Sequence, residues 1–316
     1  MSLRERAYLW YLSRTKLPIL VGPWRSEVGF EVLYWLPWLQ RFYRQYKIDQ
    51  SRIIAVSRGG AAQWYGAAKA VELYDYLPPD RIRKAMLADA GNTGSIKQFA
   101  PSLWETKLIP LIAEDLGLRR YHVLHPSWMY RGLNDLWAGK VSMEAALKDM
   151  AFDPFPVPHA PLDLPLPERF VAVRFYHRHT FPMDEPNRLW VANLVDRIAK
   201  KLPVVVLDPP FHADDHQDFP LSGPNIISLA PYVTLQNNLA VQSAVIAKAQ
   251  AFVGTYGGTM QLAARLKKPS VGFYKQFSGT APQHLDLTHR LGVMQQVPTF
   301  VGRAEDAQFV MEVMLP

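Results

Sequence analysis

The stretch Ala249–Tyr274, AQAFVGTYGGTMQLAARLKKPSVGFY, decides how this chain is read. It opens with a short apolar run, Ala251–Gly254, which predicts a buried strand. A glycine turn over Thr255–Gly258 follows, then a helix over Thr259–Lys267 and a second strand over Ser270–Tyr274. Apolar runs bounded by Gly and Pro, with a short helix between them, are the sequence form of a parallel αβ unit. The turn falls where a strand's carboxyl end meets a helix amino end. Unpaired backbone N–H groups and the helix dipole favour an anion there. Gly257 and Gly258 let a ligand approach the backbone closely, since neither carries a Cβ. The same pattern also serves as a plain tight turn in any doubly wound sheet.

Outward from this stretch, the second half alternates strand and helix. Strands are expected over Phe170–Phe175, Val204–Asp208 and Asn225–Leu229, with helices over Asn187–Lys201 and Leu235–Ala249. With the Ala249–Tyr274 unit this gives five strands, a doubly wound domain, closed by an amphipathic helix over Arg303–Met314. The first half alternates likewise. Strands are expected at Leu17–Gly22, Arg52–Ser57 and Tyr121–Leu124, and an aromatic-rich helix runs to Tyr46 with a kink or restart at Pro37. An Ala-rich helix follows Arg58-Gly59-Gly60 and ends near Leu77. Arg81–Ala88 is ambiguous, Ala90–Ser95 reads as an exposed loop, and Pro101 and Ser102 start a helix that runs to Gly117.

Between the halves lies DPFPVPHAPLDLPLP, Asp153–Pro167, with six prolines in fifteen residues. Such a segment is extended and cannot join a sheet interior, so it marks a linker. The expected organisation is an N-terminal domain over 1–152, the linker over 153–167 and a C-terminal domain over 168–316. The fold class is α/β, with two Rossmann-like domains facing a cleft in which ligands of open sheets bind.

The 316 residues suit two domains, and a 49% hydrophobic content describes a folded chain. The absence of cysteine excludes disulfides and thiolate metal sites and fits a reducing cytoplasm. No apolar run is long enough to span a bilayer, and the N-terminus has no signal-peptide core. A net charge of +7 favours acidic partners. Residues 1–16 mix Arg4, Arg6, Arg14 and Lys16 with Tyr8, Trp10 and Tyr11. This helix either caps its own domain or lies peripherally on an anionic membrane, at its inner face. The P-loop, the nucleophile elbow and the dinucleotide fingerprint are all missing, which argues against kinases, αβ hydrolases and typical NAD enzymes.

The run Phe252-Val253-Gly254-Thr255-Tyr256-Gly257-Gly258-Thr259-Met260-Gln261-Leu262-Ala263-Ala264, with Lys268-Pro269 after it, resembles the donor-side motif of the heptosyltransferase-like GT-B glycosyltransferases. The match covers about twenty-five residues. Tyr256 and Gln261 stand where that motif carries acidic and histidine residues, so the family's sugar donor does not carry over. The resemblance implies transfer of a hexosyl, heptosyl or fucosyl group from a nucleoside-diphosphate sugar to a glycan or glycolipid acceptor. It also implies inversion, no obligatory metal, no cofactor and no nucleic acid partner. Thr255, Tyr256, Gly257, Gly258 and Thr259 would seat the diphosphate. Arg174, at the end of the first strand of the second domain, and Arg178 are further phosphate candidates. Their segment, Val171–Arg178, resembles the His-x-Arg-Arg stretch of fucosyltransferases. Pairing with Asp184 or Glu185 is the alternative role for Arg174.

The acceptor's proton needs a base. Glu27, on the turn after the first strand, is the expected one, with Glu31 as an alternative; Ser26 and Gly29 also fit a plain cap and turn. Arg58-Gly59-Gly60 reads as a structural turn or an anionic acceptor site. In Asp208–Phe219, His212, Asp214, Asp215 and His216 lack an evident third metal ligand, so the loop is expected to border a nucleobase, with Phe211 and Tyr232 as stacking candidates. A nucleotide-sugar epimerase and a polyanion-binding protein without catalysis are the alternative functions.

Overall fold

A computed structural model of the chain describes residues 3–93, 97–154, 156–159, 165–211, 217–276 and 282–307. The chain divides into two units, Met1–Pro156 and Val157–Pro316, and the division falls inside the proline-rich stretch.

Unit 1 holds a parallel sheet of β1 (Ile19–Val21), β2 (Ile53–Ser57), β3 (Lys69–Glu72) and β4 (His122–Leu124), in the order β3-β2-β1-β4. β1 and β2 are fully buried apolar runs, as strands covered on both faces must be. β3 was expected as part of an Ala-rich helix. After Gly60 the chain makes only a 3-10 turn, Ala61–Tyr65, which ends at Gly66 in the left-handed region, φ 60°. A helix cannot continue through that conformation, and the following residues pair with β2 instead. The ambiguous segment and the start of the expected loop are one helix, Pro79–Thr93.

The irregularity expected at Pro37 falls in the turn before it, where the α-helical hydrogen bonding changes to π and then resumes at Leu36. The helix runs from Val28 to Tyr46, and its Glu31–Trp35 turn is π-helical, closed by the Leu36 N–H on the Glu31 carbonyl. Proline lacks an N–H, and its ring crowds the carbonyl four residues back. Widening the preceding turn accommodates both. Trp24, from the loop before it, and the aromatic side chains of this helix build a stacked column, Trp24–Trp35–Trp38–Phe42, with successive centroids 6.1, 5.6 and 6.1 Å apart.

The N-terminal helix, Leu3–Arg14, caps this unit. Leu9 and Leu12 are buried, and Tyr8 stacks on Trp128 at 5.0 Å. Arg6, Trp10, Tyr11 and Arg14 remain exposed. Among the described residues, no helix is long and apolar enough to cross a membrane.

Unit 2 has six parallel strands where five were expected: β5 (Val171–Arg174), β6 (Val204–Val206), β7 (Ile226–Ser228), β8 (Ala251–Thr255), β9 (Ser270–Tyr274) and β10 (Thr299–Arg303). Their order is β10-β9-β8-β5-β6-β7. Counted within the unit and read from the other edge, this is 3-2-1-4-5-6, the doubly wound dinucleotide-binding order. Arg303, expected to begin the last helix, ends β10 and is followed by a 3-10 turn over Ala304–Asp306. Residues 308–316 lie outside the described ones. The helix Pro282–Gln295 and β10 were not anticipated.

β5 and β8 are neighbours, with Arg174 paired to Gly254. A Cβ on Gly254 would run into the Arg174 carbonyl and the Phe252 ring. Gly254→Ala is therefore expected to destabilise the protein by about 1–3 kcal/mol, the usual range for overpacking a filled interior. The midpoint of urea unfolding checks this; an unchanged midpoint would mean the two strands can separate at no cost.

Candidate functional site

The order of unit 2 reverses between β5 and β8, so chains leave the carboxyl ends of these two strands in opposite directions. In doubly wound sheets this is where ligands bind. From β5 come Arg174, Phe175 and Tyr176; from β8 come Thr255 to Gly258, leading into the helix Gly258–Arg265. The two loops are tied together by Thr255. Its Oγ1 accepts from the Tyr176 N–H at 3.0 Å and donates to the Tyr176 carbonyl at 3.1 Å. Thr255 thus braces the two loops, and its hydroxyl, expected as a donor to a diphosphate, is engaged with the Tyr176 backbone.

Gly257 is extended, with φ 164°. It is required by proximity, because a Cβ there would strike the Tyr176 hydroxyl. No side chain caps the helix that begins at Gly258, which leaves its first-turn amides without the usual N-cap partner. Thr259 sits in this turn, 6% exposed. Tyr256 is 7% exposed, and burial pushes its hydroxyl up to about 12, with Thr288 and Gln261 beside it. Gln261 Nε2 donates to Thr288 Oγ1 at 3.1 Å. Of the two residues that depart from the expected motif, Gln261 thus ties the Gly258–Arg265 helix to the Pro282–Gln295 helix, and Tyr256 is buried just before the first of them. The Tyr256 N–H donates to the Phe273 carbonyl at 2.9 Å.

Arg174 lies across this turn, 8% exposed. Its partner is Asp218, by Nε–Oδ1 at 2.9 Å and Nη2–Oδ2 at 3.3 Å, in place of Asp184 or Glu185. Asp184 instead caps the helix Glu185–Ala199. Nη1 of Arg174 faces Gln242 Oε1 at 3.4 Å and Thr259 Oγ1 at 3.5 Å. One guanidinium edge is thus turned to the uncapped helix start, the geometry of an anion seat. Arg178 belongs to a separate tight turn, closed by reciprocal backbone bonds with Phe181 at 3.1 and 2.9 Å. Phe211 follows β6, half-buried, and Tyr232 follows β7, 38% exposed; both stand at the carboxyl edge of the same sheet. His212, Asp214, Asp215 and His216 lie outside the described residues. Among the described residues, no group of three or more His, Cys, Asp or Glu is arranged to hold a metal ion.

Unit 1 presents a second, rigid edge in the loop after β1. The Ser26 carbonyl accepts from Trp24 Nε1 at 3.1 Å and from the Arg58 guanidinium. Gln98 bonds the Pro23 carbonyl at 2.9 Å and the Arg25 N–H at 3.4 Å. Arg25 Nε meets Glu105 Oε1 at 3.1 Å, and His125 Nε2 lies 3.4 Å from the same oxygen. The other Glu105 oxygen completes a capping box with Ser102. This scaffold presents Glu27, half-buried, with Lys97 Nζ at 3.7 Å. Lys97 also stands 3.4 Å over the Phe30 ring.

Glu31 is not available as a base. It is 0% exposed, and its oxygens accept from Ser57 (2.8 Å), Tyr65 (2.7 Å) and Arg58 (3.0 Å). Burial pushes its carboxyl up against the pull of these partners. Nor is Arg58-Gly59-Gly60 open to an acceptor anion. The Gly59 and Gly60 N–H groups donate to the two Glu72 oxygens at 2.9 and 2.7 Å.

Sequence reasoning missed Gln98, Glu105, His125 and Asp218. Ser102-x-x-Glu105 is a legible capping box, but the bonds from Glu105 to Arg25 and His125 span the fold. Burial raises the Glu105 carboxyl, and the His125 hydrogen bond and the charges of His125 and Arg25 outweigh it, taking it from an ordinary 4.5 to about 2. A depressed acid contributes stability above its unfolded value, and that contribution is lost as pH falls through the folded value. Glu105 is worth on the order of 3 kcal/mol at neutral pH by this linkage. Glu105→Gln is expected to be less stable at pH 7, with the gap closing between about 4.5 and 2 in urea unfolding. A gap that stays constant with pH would refute the assignment.

No family model matches the chain, and no curated protein matches it. Solved structures overlap most of its length. A glycosyl transferase family 9 protein from Veillonella parvula DSM 2008 is 11% identical, with a TM-score of 0.49 over 96% of this chain and 91% of that one. An E. coli heptosyltransferase with ADP is 14% identical, at 0.48 over 94% and 100%. The E. coli ADP-heptose lps heptosyltransferase II is 13% identical, at 0.45 over 89% and 100%. Overlaps of this order do not carry residue roles from one chain to another.

Proposed function

We propose that the protein is a glycosyltransferase that takes its sugar from a nucleoside-diphosphate sugar. One observation carries this reading: at the β5/β8 reversal, a buried arginine and a helix start without a side-chain cap converge on the same turn. Backbone amides, the helix dipole and a guanidinium together stabilise the charge that gathers on a departing diphosphate. No metal is needed for that step when such donors are in place. Gly257, Gly258 and Thr259 take the diphosphate with Arg174. Phe211 and Tyr232, which follow β6 and β7, are the stacking candidates for the base, and Arg178, in the turn after β5, is a further phosphate candidate.

The acceptor hydroxyl is deprotonated by Glu27. Its support is the loop that carries it: Ser26, Arg25 and Pro23 are each held by hydrogen bonds, while the carboxylate itself stays partly exposed. A base on a braced loop keeps its geometry through the reaction. Direct displacement by a hydroxyl so activated inverts the anomeric centre. The acceptor is a glycan or glycolipid.

Two outcomes are expected. In a thermal-shift panel of ADP, GDP, UDP, CDP and TDP, at least one compound raises the melting temperature, as a ligand of the native state must. Arg174→Ala abolishes that shift; a panel with no response would remove the donor-site reading. With the matching sugar donor and an acceptor, Glu27→Gln lowers kcat about 10²–10⁴-fold, the range for loss of a general base, and leaves the nucleotide shift unchanged. Wild-type turnover by Glu27→Gln would exclude it as the base.

A further inference from the structure

Asp218 reaches Arg174 from a segment fixed on both sides. The Phe219 N–H donates to the Phe175 carbonyl at 2.8 Å, and the His177 N–H donates to the Gln217 carbonyl at 2.7 Å. Asp218 thereby pairs antiparallel with Tyr176, on the loop that leaves β5. Its side chain is 15% exposed and that of Arg174 is 10%. The two parallel bonds between them clamp the Nε–Nη2 edge of the guanidinium. A guanidinium is planar, so clamping one edge fixes the direction of the other. Here the remaining corner, Nη1, is turned to Gln242 and Thr259. Gln242 is itself held, donating through Nε2 to Asn238 Oδ1. The Tyr176 ring covers the guanidinium, with Cζ 5.3 Å from its centroid.

We infer that Asp218 is a positioning residue for anion binding: it aims Nη1 of Arg174 at the first turn of the Gly258–Arg265 helix and does not itself touch the ligand. The inference rests on reading that turn as a diphosphate seat. Its sign is what makes it testable. A carboxylate beside a phosphate site repels the ligand, so an Asp218 acting through its charge alone would weaken binding, and its removal would tighten it. A positioning Asp218 has the opposite effect, because without it the arginine is free to swing out of the productive direction. Its effect must also vanish when Arg174 is absent.

The probe is inorganic pyrophosphate, the moiety common to all nucleoside diphosphates, titrated calorimetrically at constant ionic strength. The proteins are wild type, Asp218→Asn, Asp218→Ala, Arg174→Ala and the Arg174→Ala/Asp218→Ala double variant. Asp218→Asn preserves shape, so it keeps the test open if the alanine variant folds poorly. Both Asp218 variants are expected to bind about ten-fold more weakly, as coupled neighbours do, and the double variant no more weakly than Arg174→Ala. Tighter binding by Asp218→Asn, or an additive loss in the double variant, overturns the inference while leaving the seat intact. No binding by wild type overturns the seat, and the inference with it.

Discussion

The constraint on which the carboxyl edge of unit 2 depends is the approach of Gly254 to the Arg174 carbonyl, where a Cβ would meet backbone. A glycine at this one position lets β8 lie directly against β5, and that neighbour relation sets the reversal of strand order. Everything at the carboxyl edge depends on it. Thr255, the next residue, can then reach the Tyr176 backbone with both hydrogen-bonding functions of its hydroxyl. Tyr176 in turn lies against Gly257, and Arg174 lies across the helix start. A side chain at Gly254 would press on the Arg174 carbonyl and strain the strand pair that brings the arginine and the turn together.

The two units show the same local pattern with opposite outcomes. Each has a strand that runs into a pair of glycines. In unit 1 the amides of Gly59 and Gly60 are taken by Glu72, a carboxylate supplied by the neighbouring strand. Burial brings that carboxyl up to about 7 even though the amides favour its charged form. In unit 2 no side chain caps the corresponding helix. An anion-binding turn already filled by the protein's own carboxylate is structural. One left to its backbone is where the proposed diphosphate would sit.

Unit 1 carries its charges inside. Arg25 with Glu105, and Arg58 with Glu31, are buried pairs with further hydrogen bonds to Gln98, Ser102, Ser57 and Tyr65. Replaced whole by apolar side chains of the same shape, such pairs cost little, because desolvation offsets much of their attraction, whereas removing one partner leaves the other's charge buried and is costly. Their consequence is directional: the bonds from Arg25, Arg58 and Gln98 hold the loop after β1 from several sides, and Glu27 follows at its end.

Much of this was legible in the residues. Apolar runs located β1, β2, β5, β6, β8 and β9, since strands buried on both faces must be short and apolar, and they located the half-buried edge strands β4 and β7 as well. β3 escaped because Lys69-Ala70-Val71-Glu72 is half-exposed and follows an alanine-rich run. β10 escaped because its register on β9 is decided by pairing rather than by composition. The glycine turn and Arg174 were visible because strand ends and helix starts are local features. Asp218 was not, nor was the Glu105–Arg25–His125 cluster, whose members lie up to a hundred residues apart. Nothing local separates a buried glutamate such as Glu31 from a working one such as Glu27 is proposed to be. The sequence by itself determined the alternation of strands and helices, the proline-rich break and the residues at each strand end, because those follow from backbone chemistry and hydrophobic pattern. Tertiary structure alone decided which carboxylates pair inward and which helix start keeps no cap. Those outcomes depend on which strands become neighbours, and that is settled by packing across the whole sheet.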